Sequence, residues 1–324
     1  MIAAIAVGAA IAVYSQRSSI HRGLQHVGHL DWVWVLAASL AEVLSMVALA
    51  LLYRALMQAS GSRVTVTSIL AAIITANAIS TAVPVIGAGM GSRQAYRQFR
   101  EAGADPGAAS LALTLAGVVS TVTLATVATT AALLSGNPAA SAGGLAAAAG
   151  LLAVVIAVAV ELRSQQGQAR LIRLTAFVLR CSQRLIHRPK GSAEALAQKV
   201  LTSIQRIRLR PVDLAEVVVW GLVNWWADVA CLAFSIKSAG ITLSVGKILL
   251  VWTAGAGAAS LSPTPAGLGA VEIAMVAALA GAGARGSYAI TAVLIYRAIS
   301  LKGTGTLWAA LYRYVFKRGR GAQA

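Results

Sequence analysis

Residues 31–53 read DWVWVLAASLAEVLSMVALALLY, and this stretch decides the fold class. It exceeds the roughly 20 apolar residues that a helix needs to cross a bilayer core. Its only charged residues are Asp31 at the start and Glu42 in the interior. Trp32 and Trp34 are typical of the region where a spanning helix enters the membrane interface. We therefore predict a transmembrane helix here.

The composition extends this prediction to the whole chain. Hydrophobic residues make up 58% of the 324 residues and charged residues 11%, whereas soluble domains average about 25% charged residues. The mean hydropathy is +0.76. The apolar runs are rich in Ala and Leu and lack the polar alternation of barrel strands. The fold class predicted is all-α, a polytopic bundle of transmembrane helices.

Further apolar runs give the organisation of this bundle. They cover 64–83, 108–134, 142–162, 212–236, 247–262 and 268–284, and a last helix starts near Tyr288. We interpret the short run 2–14 as a truncated first helix, because no basic residues precede it and no signal-peptide cleavage site is evident. The chain is predicted to be one membrane domain (1–324), with a first half (1–162), a basic segment (163–211) and a second half (212–324).

The charge distribution predicts the orientation in a cell membrane. The chain has 27 Lys and Arg against 10 Asp and Glu, a net charge of +17. No nucleic-acid recognition motif accompanies this charge, whereas cytoplasmic loops of membrane proteins collect Lys and Arg. The 163–210 segment and the C-terminus are therefore predicted to be cytoplasmic, and the 135–141 and 281–287 loops outside. Residues 169–188 form a basic amphipathic pattern that suits an anionic leaflet or, alternatively, a partner protein.

Two segments rich in Pro and Gly interrupt the apolar runs: VPVIGAGMGSR (83–93) and SPTPAGLG (262–269). A shift of 178 residues superposes Gly89-Met90-Gly91 on Gly267-Leu268-Gly269. The predicted orientation places the two segments on opposite sides of the membrane, as in transporters with inverted repeats. We predict that each segment is the tip of a re-entrant helical hairpin. The alternative is two ordinary loops between full spans.

The second of these segments carries a resemblance to a known family. SPTPAGLGAVE (262–272) and Arg297 in AVLIYRAIS (292–300) resemble motifs in the transmembrane region of lysylphosphatidylglycerol synthases and their flippase-like stand-alone relatives. Residues 77–103 resemble the first-half motif loosely, and the likeness extends over roughly residues 31–316. The sequence departs from many relatives: Gly-Ser-Arg and Leu-Ala-Gly-Val-Val stand where those have Gly-Glu and Glu-Arg pairs.

The resemblance implies a membrane domain that handles lipids and in some relatives moves them between leaflets. Archaeal relatives are tied to lipid-linked sugars. No aminoacyltransferase domain follows the last helix in this sequence, so the resemblance does not imply synthesis of aminoacylated lipid.

Four ionisable residues lie deepest in the predicted spans: Glu42, Asp228, Glu272 and Arg297. A charge at mid-membrane costs about 2.5–3.5 kcal/mol on insertion scales, so such residues usually pair or face the bundle interior. Glu272 and Arg297 form either a structural ion pair or part of a lipid headgroup path. The predicted path comprises Glu272, Arg297, Asp228, Asn224, Pro263, Pro265, Gly267, Gly269, Pro84, Gly89 and Gly91.

A stripe of arginines follows the first Pro/Gly segment. Arg93, Arg97 and Arg100 share one face if residues 93–100 are helical. Guanidinium groups bind phosphate bidentately, so this stripe could hold a lipid phosphate at the cytoplasmic face. The alternative is the ordinary positive charge of a cytoplasmic loop.

The sequence carries no enzyme signature. It contains no Walker loop, and its histidines lack the spacing of a metal site, so we predict neither catalysis nor a cofactor or metal. The leading hypothesis is a flippase-like protein that moves or presents anionic or polyprenyl-linked lipids. The alternatives are a membrane component of lipid-linked sugar transfer and a non-transporting scaffold of a lipid-modifying enzyme. Membrane lipids are the expected partners; a homo-oligomer and an enzyme partner stay open.

Overall fold

The computed structural model describes residues 30–82, 87–161, 210–262 and 264–301. Within these ranges the chain forms helices and turns and contains no strand. The predictions for residues 2–14, for most of the basic 163–210 segment and for the C-terminus lie outside the described residues. The helices are α1 Trp32–Ala59, α2 Val66–Ala82, α3 Gly87–Glu101, α4 Pro106–Leu133, α5 Pro138–Glu161, α6 Pro211–Ser238, α7 Val245–Leu261, α8 Ala270–Gly281 and α9 Gly286–Leu301.

Three of the described helices are long and apolar enough to cross a membrane. These are α1, α4 and α6, each of 28 residues, which corresponds to about 42 Å at 1.5 Å per residue. Helices α2 and α7 have 17 residues each, or about 25 Å, and α8 has 12. The described part of the chain therefore combines three long apolar helices with shorter ones.

Local sequence signals explain where several helices begin. Asp31 accepts from the amide of Val33 at 3.1 Å and caps α1. Asp105 accepts from the amide of Gly107 at 2.8 Å and caps α4, which opens on Pro106. Such oxygens satisfy the free N–H groups of a first helical turn. Asn137 caps α5 in the same way, so this helix begins at Pro138, four residues before the apolar run that predicted it.

Helices α1 and α6 pack against each other in opposite directions. The amide of Asp31 at the start of α1 donates to the carbonyl of Ser238 at the end of α6, at 3.1 Å. Trp34 stacks on Phe234 with ring centroids 5.6 Å apart, and the Lys237 ammonium lies 3.8 Å from the Trp34 ring. This pair forms the centre of the bundle, with one apolar cluster on α2, α3 and the start of α4, and another on α7, α8 and α9.

The two flanking clusters each contain a helical hairpin. In the first, α3 folds back on α2 so closely that a side chain at Gly91 would overlap the carbonyl oxygen of Ala76. In the second, α8 folds back on α7, and the side chain of Met275 packs where a side chain at position 255 would otherwise lie. A 3-10 turn, Pro265–Gly267, joins α7 to α8 and contacts α2 of the first hairpin. The tip of the second hairpin therefore lies against the first.

The two glycine pairs that the sequence superposes have different roles. Gly267 and Gly269 lie in the turn before α8 and have positive φ, whereas Gly89 and Gly91 lie inside helix α3. Of the first predicted tip, residues 87–93 are therefore helical, and residues 83–86 lie outside the described residues. The helix boundaries also give a different sequence offset between the two halves. Trp32 and Pro211, which open α1 and α6, are 179 residues apart, not 178.

Candidate functional site

The turn between α7 and α8 has a strained backbone. Ala266 has φ 54°, a left-handed conformation that is uncommon for a residue with a side chain. Gly267 (φ 67°) and Gly269 (φ 87°) follow it. At Gly267 a side chain would also meet Val271 at 2.6 Å. Such backbone persists only where surrounding contacts hold it in place.

An ion pair supplies those contacts. Arg297 in α9 donates from Nε to Oε1 of Glu272 at 2.7 Å, and each side chain is 12% exposed. Arg297 also donates from Nη2 to the carbonyl of Ala266 at 2.6 Å. Glu272 accepts the amide of Gly269 at 2.6 Å and so caps the start of α8. The structure thus brings Glu272 and Arg297 together and ties α9 to both ends of the strained turn.

Asp228 forms a second polar centre next to this ion pair. Its carboxylate accepts from the indole N–H of Trp252 at 2.9 Å and from the hydroxyl of Tyr296 at 3.1 Å. Tyr296 precedes Arg297 in α9. Through these neighbouring residues, α9 connects the carboxylate in α6 to the ion pair at the tip of the hairpin.

A cavity of about 270 Å³ lies against both centres. Asp228 and Arg297 contribute its charged lining. A cavity of this volume has room for a phosphate-sized polar group together with water. The remaining lining is aromatic, small or apolar and comes from Leu124, Trp225, Trp252, Gly255, Ala256, Ala259, Ser260, Val271, Met275 and Tyr296.

Asn224 does not join this lining. Its side-chain amide donates to the carbonyl and the hydroxyl of Ser45 in α1, at 3.0 and 2.9 Å. Asn224 is buried, so these bonds satisfy both donors of a polar group that would otherwise be costly inside the bundle. Its described contacts connect α1 to α6, away from the cavity lining where the sequence predicted it.

The first-half candidates form a separate group. Arg93, Arg97 and Arg100 lie on helix α3 as predicted, and all three are exposed. Arg97 lies 3.8 Å from Glu101, and Arg100 donates to the carbonyl of Ala104. Gly89 is exposed with open space around it. Pro84 and Pro263 lie outside the described residues, as does the side chain of Pro265.

Sequence reasoning missed the two aromatic partners of Asp228. Tyr296 stands beside a motif arginine, which is a weak signal. Trp252 lies in the middle of an apolar helix and gave no signal at all. Among the described residues, no group of three His, Cys, Asp or Glu side chains is placed to hold a metal ion.

A family described as the lysylphosphatidylglycerol synthase TM region matches residues 1–307 of the chain. No curated protein matches the sequence.

Proposed function

Because the chain belongs to the lysylphosphatidylglycerol synthase TM-region family, a family of lipid-related membrane proteins, we propose that it moves or presents lipids in the cell membrane. The observation that carries this proposal is the cavity beside Asp228 and Arg297. Charged side chains at membrane depth are costly and mark pathways for polar groups. A lipid headgroup is the polar group that a protein of this family would meet there.

The proposed path enters at the tip of the second hairpin. With about 25 Å in α7 and about 18 Å in α8, neither arm spans a bilayer core of about 30 Å, which supports a re-entrant hairpin. Irregular backbone within a membrane requires protein or a water-filled cavity around it. Arg297 satisfies the carbonyl of Ala266, and the cavity lies beside the same arginine.

The two halves are proposed to form an inverted-topology repeat. Helices α1 and α6 have equal length, and so do α2 and α7. The equivalent helices α1 and α6 run in opposite directions, as the contact between Asp31 and Ser238 requires. Such repeats place the substrate site near the bilayer midplane, between the halves. The contact between α2 and the 3-10 turn is at such an interface.

The chemistry favours an anionic lipid, a phospholipid or a polyprenyl-linked lipid. Arg297 binds one carboxylate and one carbonyl, and a lipid phosphate is the kind of anion that competes for a guanidinium. The exposed arginines Arg93, Arg97 and Arg100 supply a basic face on α3 where an anionic headgroup gathers first. This role includes no catalytic step and no cofactor.

Translocation in reconstituted vesicles tests the proposal. Vesicles carry a fluorescent phosphatidylglycerol, and a membrane-impermeant reductant quenches the outer leaflet. The protein should expose the inner-leaflet lipid faster than empty vesicles do, and a zwitterionic analogue should respond less. Arg297→Gln should slow exposure, whereas Arg285→Gln, at an exposed position before α9, should not. A protein that neither accelerates exposure nor retains anionic lipid through purification contradicts the proposal.

A further inference from the structure

Glu42 in the middle of α1 has an incomplete set of hydrogen bonds. The residue is 5% exposed, and its Oε2 atom has no hydrogen-bond partner among the described residues. An ionised carboxylate accepts at both oxygens, and leaving one without a donor in a buried site is unfavourable. Burying a carboxylate charge that lacks donors costs far more than burying the neutral acid. The geometry therefore fits the neutral acid better than the anion.

Asp228, on the helix that packs against α1, is in the opposite situation. It accepts hydrogen bonds from Trp252 and Tyr296, and Arg297 lines the same cavity. Donors and a nearby cation are what an ionised carboxylate requires. Two carboxyl groups thus lie in one buried region. Asp228 has the hydrogen-bond donors that an ionised carboxylate needs, whereas one oxygen of Glu42 has none.

In the described part of the chain, the ionisable groups around Glu42 include no cation. Asp228, Cys231 and Tyr296 are close enough to interact with it electrostatically. They come from α6 and α9. The neighbouring helix α4 carries no ionisable residue between Pro106 and Leu133. Arg297 is already in contact with Glu272. If Glu42 and Asp228 were both ionised, they and Glu272 would be three carboxylates beside one guanidinium among the described residues, and buried charges without partners are unfavourable.

We propose that Glu42 is a proton-binding site in the membrane interior, and that it holds its proton beside an ionised Asp228. Release of that proton places a second negative charge next to the carboxylate that lines the cavity. This repulsion weakens the bonds from Trp252 and Tyr296 that fix the cavity wall. Proton exchange at Glu42 therefore acts on the same wall that is proposed to meet a lipid headgroup.

Infrared spectroscopy of the purified full chain tests the protonation itself, without any lipid assay. A protonated carboxyl group has a carbonyl-stretch band that an ionised one lacks. The protein is produced with ¹³C-labelled glutamate in one sample and ¹³C-labelled aspartate in another. At neutral pH the band should be present and should shift with labelled glutamate only. This measurement uses the unmodified sequence, so it stands even if substitutions impair folding.

Two variants assign the band to a residue. Glu42→Gln should remove it, and Glu101→Gln, at a side chain that is 68% exposed, should leave it unchanged. Absence of the band in the unmodified protein, or a shift with labelled aspartate instead, overturns the inference. A band that survives in Glu42→Gln overturns it as well. None of these results depends on whether the protein moves lipids.

Discussion

Asn224 in α6 donates hydrogen bonds to both the carbonyl and the hydroxyl of Ser45 in α1, and the two residues are 179 positions apart. The same offset separates the starts of these two helices, Trp32 and Pro211. Under this offset, Ser45 and Asn224 are each other's equivalents. Only residues beside a two-fold axis meet their own equivalents. If the halves are related by such an axis, it passes through this contact.

Removing the amide at this crossing should destabilise the bundle more than removing the hydroxyl. Asn224→Ala removes both hydrogen bonds to Ser45, including the donor to its buried hydroxyl, and such a loss typically costs about 1–3 kcal/mol. Ser45→Ala is the matched control, because the amide keeps its bond to the backbone carbonyl. Thermal unfolding in detergent, followed by tryptophan fluorescence, measures both variants. An Asn224→Ala variant that melts like the unmodified protein would show that the contact contributes little.

The ion pair at the hairpin tip should behave differently in single and double variants. Glu272→Ala or Arg297→Ala leaves one largely buried charge without its partner, which costs about 3–5 kcal/mol in a dry site. Both single variants should lose folded yield and lipid translocation. The double variant should recover part of the yield, because no unpaired charge remains. It should stay inactive if the charges contact the headgroup.

Expression level and vesicle translocation separate the two roles of this pair. A double variant that regains both yield and translocation would show that the pair is only structural. Glu272→Gln is a useful companion, since its carbonyl oxygen can still accept the amide of Gly269.

A methyl group in the turn before α8 should distort the tip. Gly267→Ala forces a side chain into positive φ and within 2.6 Å of Val271, so it should lower stability by at least about 1 kcal/mol. Gly257→Ala, in helix α7 with open space around it, should be neutral or stabilising by up to about 1 kcal/mol. The melting temperatures of the two variants in detergent test this prediction. A tolerated Gly267→Ala would mean that the turn relaxes easily.

The tip should be accessible to water if it is re-entrant. Ala266→Cys places a thiol beside the ion pair and should react with a hydrophilic maleimide in membranes. Ile273→Cys, at a residue 62% exposed on α8, serves as a control for a surface in contact with lipid and should react poorly. Both are made in a background that lacks Cys181 and Cys231. An unreactive thiol at position 266, with a reactive thiol at position 273, would contradict the proposed water-filled cavity.

The charge distribution makes a prediction about sidedness. In intact cells an impermeant thiol reagent should label Ser135→Cys and should not label Ser192→Cys. After the membrane is permeabilised, both should react. The reason is the excess of Lys and Arg in 163–210, which cytoplasmic loops accumulate. Labelling of Ser192→Cys but not of Ser135→Cys in intact cells would mean that the orientation is the opposite of the one predicted.

The sequence by itself determined the class of this protein and the approximate extents of its helices. Apolar runs of this length have few alternatives, because every backbone N–H and C=O needs a partner in lipid. Asp31 and Asp105 act as caps through contacts two and three residues away, and such local signals can be read directly. The motif around Glu272 and the arginine at 297 also indicated the family that the match over residues 1–307 shows.

Only the tertiary structure decided which polar groups meet. The bonds from Trp252 and Tyr296 to Asp228 cross 24 and 68 residues of sequence, and the Asn224–Ser45 contact crosses 179. A helix that is apolar on all sides has no periodicity to show which face meets its neighbour. The sequence also did not separate Gly91, which packs against Ala76 inside α3, from Gly267, which has a positive φ in the turn. Close helix packing and a positive-φ turn both require glycine, and only the packed hairpins distinguish the two.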